Sequence, residues 1–365
     1  MRKNRRILII STVGLIYDGI TSVIVSYLKA MNREGLDIYV AGTIDVKDSI
    51  RDQIEAMGCK VIDLPNRRSN PMKYFLQLSK FVRKKKIDVV HAHGNSGTLA
   101  IEMVASWLGG CKKRIAHSHN TKCDQVKADK LLRPIFNIFY TDALACGVEA
   151  GRWLFGRKKF KVLQNGRDVE VFSFNQEIRK QMRIQLNLQD EIAIGHVGGF
   201  FEQKNHRFLL QIFKEIVKIK PTAKLYLIGD GPLKETMEKR AKGITKNIIF
   251  VGTTDRVSDY LQAMDGMLLP SLFEGLPLVA VEWQLNGLPC VFSDVITKDC
   301  CFTDNVEFLS LEKDPSVWAK ELIVMIEKKN NREILSREAV SNANKAGFNI
   351  KNNARILRKI YLKRN

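Results

Sequence analysis

"DGMLLPSLFEGLPLVAVEWQLNGLPCVFSD", residues 265–294, carries the reading that decides the fold. Its outer runs, "DGMLLPS" and "LPCVFSD", are apolar and too short for buried helices, so they read as strands covered on both faces. Between them "LPLVAVEWQL" reads as a helix whose first position is Pro277, where a missing N–H costs nothing. Strand, loop, helix and strand in that order make the crossover unit of a parallel sheet.

The loop and helix of this unit hold two carboxylates, Glu274 and Glu282, eight positions apart. Glu is a good helix former, and acids near a helix N-terminus complement the macrodipole, so neither residue requires a ligand. Their spacing nevertheless suits one. The free amides of Leu278, Val279 and their neighbours form a ready phosphate site at the helix start. Glu282 lies about 7 Å further along the axis than Glu274. The two cannot share one ligand atom, but they can each hold hydroxyl groups on either side of a phosphate pair. A nucleotide sugar has that layout of sugar, diphosphate and ribose.

The same alternation runs through the whole chain. "RRILIIST", "LDIYVAG", "CKVIDLP", "IDVVHAHG", "KRIAHSH", "TDALACG" and "KVLQNG" read as strands separated by amphipathic helices such as "SVIVSYLKAMNREG". The pattern pauses over "RDVEVFSFNQEIRKQMRIQLNLQDE" and resumes with "IAIGHVGG", "AKLYLIGDG", "NIIFVGT", "DGMLLPS", "LPCVFSD" and "VEFLSLE". The expectation is two doubly wound α/β domains, at 1–170 and 171–345, with a basic helix at 346–365 packing back on the first. Each is of ordinary domain size within 365 residues.

Composition narrows the function. Hydrophobic residues at 45% and charged residues at 27% describe a globular chain, and no apolar run reaches the length of a membrane span. The start, "MRKNRRILIISTVGLIYDG", is interrupted by Asp18 and lacks a small-residue cleavage site, so it reads as a first strand rather than a signal. Seven scattered cysteines with no C-x-x-C argue against a disulfide framework or a zinc site and for a reducing cytoplasm. A net charge of +20 calls for an acidic partner. Nucleic acid is disfavoured, because aromatic residues do not interleave with the basic ones. The basic runs "MRKNRR", "RKKK", "RKKFK" and "RKIYLKR" read as solvated faces or as attraction to anionic lipid. "KCDQVKADKLLRPIFNIFY", residues 122–140, combines basic residues with Phe and Leu and is the first stretch to test on membranes.

In open parallel sheets ligands bind beyond the carboxyl ends of the strands, so the loops there matter most. In "VGGFFEQKNHRF", Gly198 and Gly199 permit close backbone approach, and Lys204 supplies a cation; a plain turn with a solvated lysine fits equally well. Gly229 sits in the turn "LIGDGP", and Gly14 and Gly19 flank the loop before the first helix, where a strand-to-helix turn needs glycine anyway. Asn165 lies in "QNGRD". His91, His93, His117 and His119, four of six histidines, sit in two H-x-H pairs at consecutive strand ends. Histidine suits zinc, but no Cys or acid stands close in sequence to complete a ligand set.

These motifs together resemble the retaining glycosyltransferases of the GT-B fold, the glycosyltransferase family 4-like group that includes bacterial capsule and exopolysaccharide enzymes. "FEGLPLVAVE" resembles that family's E-x7-E motif. "DGITSVIVSYLKAM" resembles its glycine loop and helix, "VLQNGRDVEVF" its "IPNGVD-x-x-x-F" junction, and "GHVGGFFEQKNH" its "VGR-x-x-x-x-KN" loop. The resemblance covers essentially the whole chain. It implies two Rossmann-like domains facing across a deep cleft, the first binding an acceptor and the second a nucleotide-sugar donor, most commonly UDP-linked.

By position, Glu274 would hold donor-sugar hydroxyls, with Gly275, Leu276 and Leu278 around the diphosphate. Glu282 would take the ribose, and Lys204, Gly198, Gly199 and Gly229 would lie at the phosphates. His117 would line the cleft near the transferred sugar, with His119, Asn165, Gly14 and Gly19 on the acceptor side. The implied reaction retains anomeric configuration and needs no metal or other cofactor, since basic residues and helix amides stabilise the leaving diphosphate. The acceptor would be a lipid-linked saccharide or an oligosaccharide, which puts the enzyme in the cytoplasm at the inner face of the membrane.

One residue departs from the pattern. The family's "VGR" reads "VGG" here, so Gly199 stands where a phosphate-binding arginine is usual. That removes a contact worth about 2–4 kcal/mol in the transition state. Either Arg207 or Arg167 substitutes, or the chain is a catalytically weak or nucleotide-sugar-epimerase-like homologue. A phosphorylase would need a pyridoxal-binding lysine late in the chain, and nothing marks one.

Overall fold

The computed structural model describes residues 4–328 and 331–363. Two compact units result, one running to Gly166 and rejoined from Asn349 onward, the other Arg167–Phe348.

The first unit is built on a sheet of β1 (Arg5–Ser11), β2 (Leu36–Gly42), β3 (Lys60–Asp63), β4 (Val89–His93), β5 (Lys113–Ser118), β6 (Asp142–Ala145) and β7 (Lys161–Val162), in the order β3-β2-β1-β4-β5-β6-β7. The second sheet contains β8 (Ala193–Val197), β9 (Lys224–Ile228), β10 (Ile248–Gly252), β11 (Gly266–Leu269), β12 (Cys290–Ser293) and β13 (Val306–Leu309), in the order β10-β9-β8-β11-β12-β13. Every pairing is parallel. Strands such as β1 and β11 are buried on both faces, as the unbroken apolar runs require. Each sheet reverses its strand order once, between β1 and β4 and between β8 and β11, and ligands of such sheets bind at these switch points.

The polar stretch after Gly166 belongs to the second unit. Val169 packs with Val281, Leu285 and Phe348, and Met182 and Leu188 join the cluster around Trp283. Its charges are used as well: Arg179 and Arg183 both bind Asp265, at 2.5 and 3.1 Å. The stretch looked featureless because its helix Gln176–Gln185 buries only one narrow face, at Met182.

The last helix, Ile350–Leu362, lies on the first unit. Ile350, Ala354, Leu357 and Tyr361 face inward against helix Gly19–Ala30, while Arg355 and Lys359 point to solvent. Arg358 binds the carbonyls of Asn32 and Glu34, and Arg5 reaches the Leu362 carbonyl. The basic runs at either terminus lie partly outside the described residues, at 1–3 and 364.

Candidate active site

In the second unit, the loops following β8 and β11 meet at the switch point. The Leu272 amide donates to the Gln203 carbonyl (2.8 Å), and the Gln203 side chain donates back to the Phe273 carbonyl (3.0 Å). This clasp brings three donors to the Glu274 carboxylate: Lys204 Nζ at 2.6 Å, Ser271 Oγ at 2.8 Å and Gln203 Nε2 at 3.1 Å. Ser271 is itself held, since its carbonyl accepts the Ser293 hydroxyl at 2.6 Å. The Glu274 side chain is only 7% exposed, so its carboxylate is both desolvated and fixed in direction. Sequence reasoning had named Glu274 and Lys204 separately; their ion pair, and the parts of Ser271 and Gln203, come from the structure.

Helix Leu278–Leu285 starts immediately after this carboxylate. Pro277 occupies the capping position in extended conformation, one residue before the expected place, because its ψ of 110° keeps it outside the helix. No side chain caps this helix, whereas Asp18, Asn70, Asn175, Asn331 and Asn349 cap theirs. The Ala280 amide turns back to the Pro277 carbonyl at 3.1 Å, while the Leu278 and Val279 amides have no acceptor among the described residues.

Glu282 lies inside that helix and is buried, with Arg167 Nε 2.5 Å from its carboxylate and both side chains only 9% exposed. Burial pushes its carboxyl pKa up, and the guanidinium opposes the shift. The residue expected at a ribose is thus occupied by an internal ion pair. Arg167, one of the two candidate substitutes for the missing arginine, is committed to the same pair, while Arg207 is exposed on the next helix.

The glycines of the β8 and β9 loops serve close backbone approach. A Cβ on Gly229, at φ +142°, would stand 2.1 Å from the Gly198 carbonyl oxygen, so no side chain fits there. A Cβ on Gly198 would meet His196 Nε2 and the Lys204 stem at 3.1 Å. At Gly199 a Cβ would meet the Phe201 ring, at 2.6 and 2.8 Å, so an exposed aromatic now covers the place of the family arginine. His196 and His206, the two histidines that sequence reasoning passed over, are buried beside Lys204, whose charge helps to depress both. Burial is the larger cause in each, and His206 falls to about 4.

In the first unit the four strand-end histidines form one block. His91 Nε2 lies 3.1 Å from His117 Nδ1, and His93 Nδ1 lies 2.8 Å from His119 Nε2. The two pairs lie against each other at a tilt, with ring centroids 4.2 Å apart and planes at 36° for His91 and His93, and 4.3 Å and 34° for His117 and His119. Burial without a carboxylate partner lowers the pKa of all four, to about 3 for His119. Among the described residues, His91, His93 and His117 are the group close enough to hold a metal, with ring nitrogens within 4.8 Å of one another.

The remaining acceptor-side residues are not all alike. Gly14, at φ +98°, packs against the backbone of Asp45, which a Cβ would meet at 2.6 Å. Gly19 opens the first helix with nothing near its absent Cβ, but the Asp18 carboxylate already takes that helix's Thr21 amide at 2.8 Å. Asn165 is buried, with Oδ1 unpartnered.

Helix Val126–Phe139 of this unit turns an apolar face outward. Leu131 and Ile138 are 76% and 73% exposed, with Ile135, Lys127 and Lys130 beside them. The neighbouring exposed Trp107 packs edge-on against Phe139.

The glycosyl transferases group 1 family matches residues 191–328, and the glycosyl transferase 4-like family matches residues 7–145. EpsF of Bacillus subtilis (strain 168), a protein named as a glycosyltransferase, is 34% identical over 74% of this chain and 75% of its own length. The chain belongs to this glycosyltransferase family. Another relative, 26% identical over 73% of this chain and 72% of its own, is the Escherichia coli UDP-Gal:alpha-D-GlcNAc-diphosphoundecaprenol alpha-1,3-galactosyltransferase. Among solved structures, Anabaena HepE in complex with UDP matches 97% of this chain and 99% of its own with a TM-score of 0.80 at 16% identity. The glycosyltransferase therefore has the GT-B fold. No helix among the described residues is long and apolar enough to cross a membrane.

Proposed function

We propose that this glycosyltransferase moves a sugar from a UDP-linked donor to a lipid-linked saccharide, with retention of configuration, during assembly of a capsular or exopolysaccharide. The observation that carries this reading is the Glu274 carboxylate, fixed by Lys204, Ser271 and Gln203 directly before an uncapped helix start. A carboxylate held by three donors keeps lone pairs for sugar hydroxyls, and its geometry needs no reorganisation when the substrate arrives. The diphosphate lies on the amides after Gly275, where the helix end supplies partial positive charge. Lys204 neutralises charge developing on the leaving group, and a divalent cation is not required. The acceptor hydroxyl attacks on the face that the diphosphate leaves and passes its proton to a departing phosphate oxygen. Glu274 orients the sugar and is not the base.

Two relatives bear on the substrates. The E. coli relative is named for a UDP-sugar donor and a diphosphoundecaprenol acceptor, and HepE is crystallised with UDP. A lipid-linked acceptor also gives a use to the outward apolar face of helix Val126–Phe139, whose Leu131, Ile135 and Ile138 beside Lys127 and Lys130 suit an anionic membrane surface. Calorimetric titration with UDP, GDP and ADP tests the donor, with UDP expected to bind most tightly. The anomeric configuration of the product, read by NMR, tests the stereochemistry. Full turnover in chelator is expected, and its loss would assign the diphosphate to a metal instead.

A further inference from the structure

Cys300 and Cys301 place two thiols side by side in the loop after β12, with sulfurs 3.9 Å apart. Cys300 is buried and Cys301 half-buried. Their acidities are pushed in opposite directions. The hydrogen bond between the two sulfurs is the largest influence on both, raising Cys300 and lowering Cys301. Burial opposes the shift at Cys301, and the Lys298 charge supports it. Burial raises the other five thiols, Cys59, Cys111, Cys123, Cys146 and Cys290. Cys301 is therefore the cysteine that most readily forms a thiolate, and a second thiol stands beside it.

The loop carrying this pair is tied at both ends to the candidate donor site of the second unit. Where it leaves β12, the Ser293 hydroxyl donates to the carbonyl of Ser271, whose own hydroxyl binds Glu274. At the far end it is held by the buried Gln284 of helix Leu278–Leu285. Gln284 Nε2 donates to the Cys300 carbonyl at 2.8 Å, and its Oε1 accepts the Phe302 amide at 3.0 Å and the Thr303 hydroxyl at 3.2 Å. Phe302 also packs against the cluster of Val281, Leu285 and Phe348. An ordinary disulfide sets its two Cα atoms at least about 4.4 Å apart, whereas a trans peptide holds neighbouring residues at about 3.8 Å. Closing a bond between these sulfurs must therefore twist the peptide that joins them. The carbonyl of that peptide is the one Gln284 holds.

We propose that Cys300 and Cys301 form a redox modification site, a dithiol that reacts with low-molecular-weight disulfides and closes to a vicinal disulfide, loosening the Gln284 clasp and weakening donor binding. The Cys301 thiolate attacks one sulfur of the small disulfide, forming a mixed disulfide and expelling one small thiolate. Cys300 then loses its proton to water and attacks the Cys301 sulfur. The Cys300–Cys301 bond forms as the second small thiolate leaves and takes up a proton. The two cysteines lose two electrons, and the small disulfide becomes two thiols. A strained disulfide is easily reduced again, which suits reversible control. The effect on donor binding rests on the reading of this helix start as the diphosphate site; the thiol chemistry does not.

The test treats the intact, reduced protein with oxidised glutathione and maps its cysteines by mass spectrometry. The expected result is loss of two hydrogens from the peptide holding Cys300 and Cys301, with the other thiols intact and full reversal by dithiothreitol. Cys300→Ser should instead retain glutathione on Cys301, and Cys301→Ser should take none in this loop. Earlier modification of Cys123, or a glutathione adduct that persists on Cys301 of the wild type, would overturn the site. Calorimetry with UDP reads the coupling. The oxidised wild type should bind about 5- to 150-fold more weakly than the reduced form, while Cys300→Ser/Cys301→Ser matches the reduced form with or without oxidant. Equal affinity of the two wild-type forms would overturn the coupling. Failure of even the reduced protein to bind UDP would instead remove the donor reading, and the thiol map would still decide the dithiol.

Discussion

Restoring the family arginine at Gly199 gives the most direct probe of the donor site. The backbone there is outside the left-handed region, so an L-residue is tolerated. The obstacle is the Phe201 ring, which an added Cβ would meet at 2.6 and 2.8 Å, closer than carbon atoms pack. The next neighbour, the Asp230 carbonyl oxygen, stands at an ordinary 3.4 Å. Phe201 is 54% exposed, so its ring can swing outward at the cost of an imperfect rotamer, about 1 kcal/mol. A guanidinium on the departing diphosphate contributes about 2–4 kcal/mol. The net gain of about 1–3 kcal/mol corresponds to a rise of roughly 5- to 150-fold in kcat/KM for Gly199→Arg. UDP calorimetry and steady-state kinetics measure it, and Gly199→Arg combined with Phe201→Ala removes the steric cost. The reasoning is refuted if the double variant melts like wild type yet binds UDP no more tightly and turns over no faster. The donor phosphates would then lie away from residue 199.

Four further outcomes follow from the same structure. Glu274→Gln should lower sugar transfer at least a hundredfold while the protein remains folded, and near-normal turnover would exclude the residue from sugar binding. Arg167→Met strands the buried Glu282 carboxylate and should destabilise the second unit by about 3–5 kcal/mol, with Arg167→Met/Glu282→Gln recovering much of the loss in urea melts. The six histidines all have pKa values lowered by burial, so the unfolded chain binds their protons first. Stability is therefore complete above about pH 6.5 and falls toward pH 4–3, by about 1.4 kcal/mol per pH unit for each group; Glu282 and Asp18, whose carboxyls burial pushes the other way, offset part of the loss. Urea midpoints that stay flat between pH 7.5 and 5 would show that these rings are not buried as neutral groups. Finally, the protein should sediment with vesicles containing anionic lipid at physiological salt, and Leu131→Glu with Ile138→Glu should abolish this. Equal recovery of wild type and variant would rule out that face as the contact.

Much of the fold was legible because a parallel sheet covered on both faces leaves its strands no polar positions. Runs such as Ile7–Ile10 and Met267–Leu269 carry that signature without help from any distant residue. The unit boundary was harder to read. Gln176–Gln185 is polar along most of its length, and the packing of Val169 on Val281 and of Met182 around Trp283 puts the start of the second unit at Arg167, where residue 171 was expected.

The site divides in the same way. Glu274, Glu282, Lys204 and the helix start between the two acids could be found from spacing, because a motif confined to one loop and one helix is local. Pairing is not local. Lys204 meets Glu274 across 70 residues, Arg167 meets Glu282 across 115, and Tyr361 meets His91 across 270. The sequence by itself therefore determined the class of fold, the family and the identity of the acidic residues, since each is written in short-range periodicity and spacing. Only the tertiary structure decided that one glutamate is poised on a lysine while the other is buried on an arginine. That distinction depends on which charges the folded chain brings within hydrogen-bond reach, and on how much water it excludes when it does so.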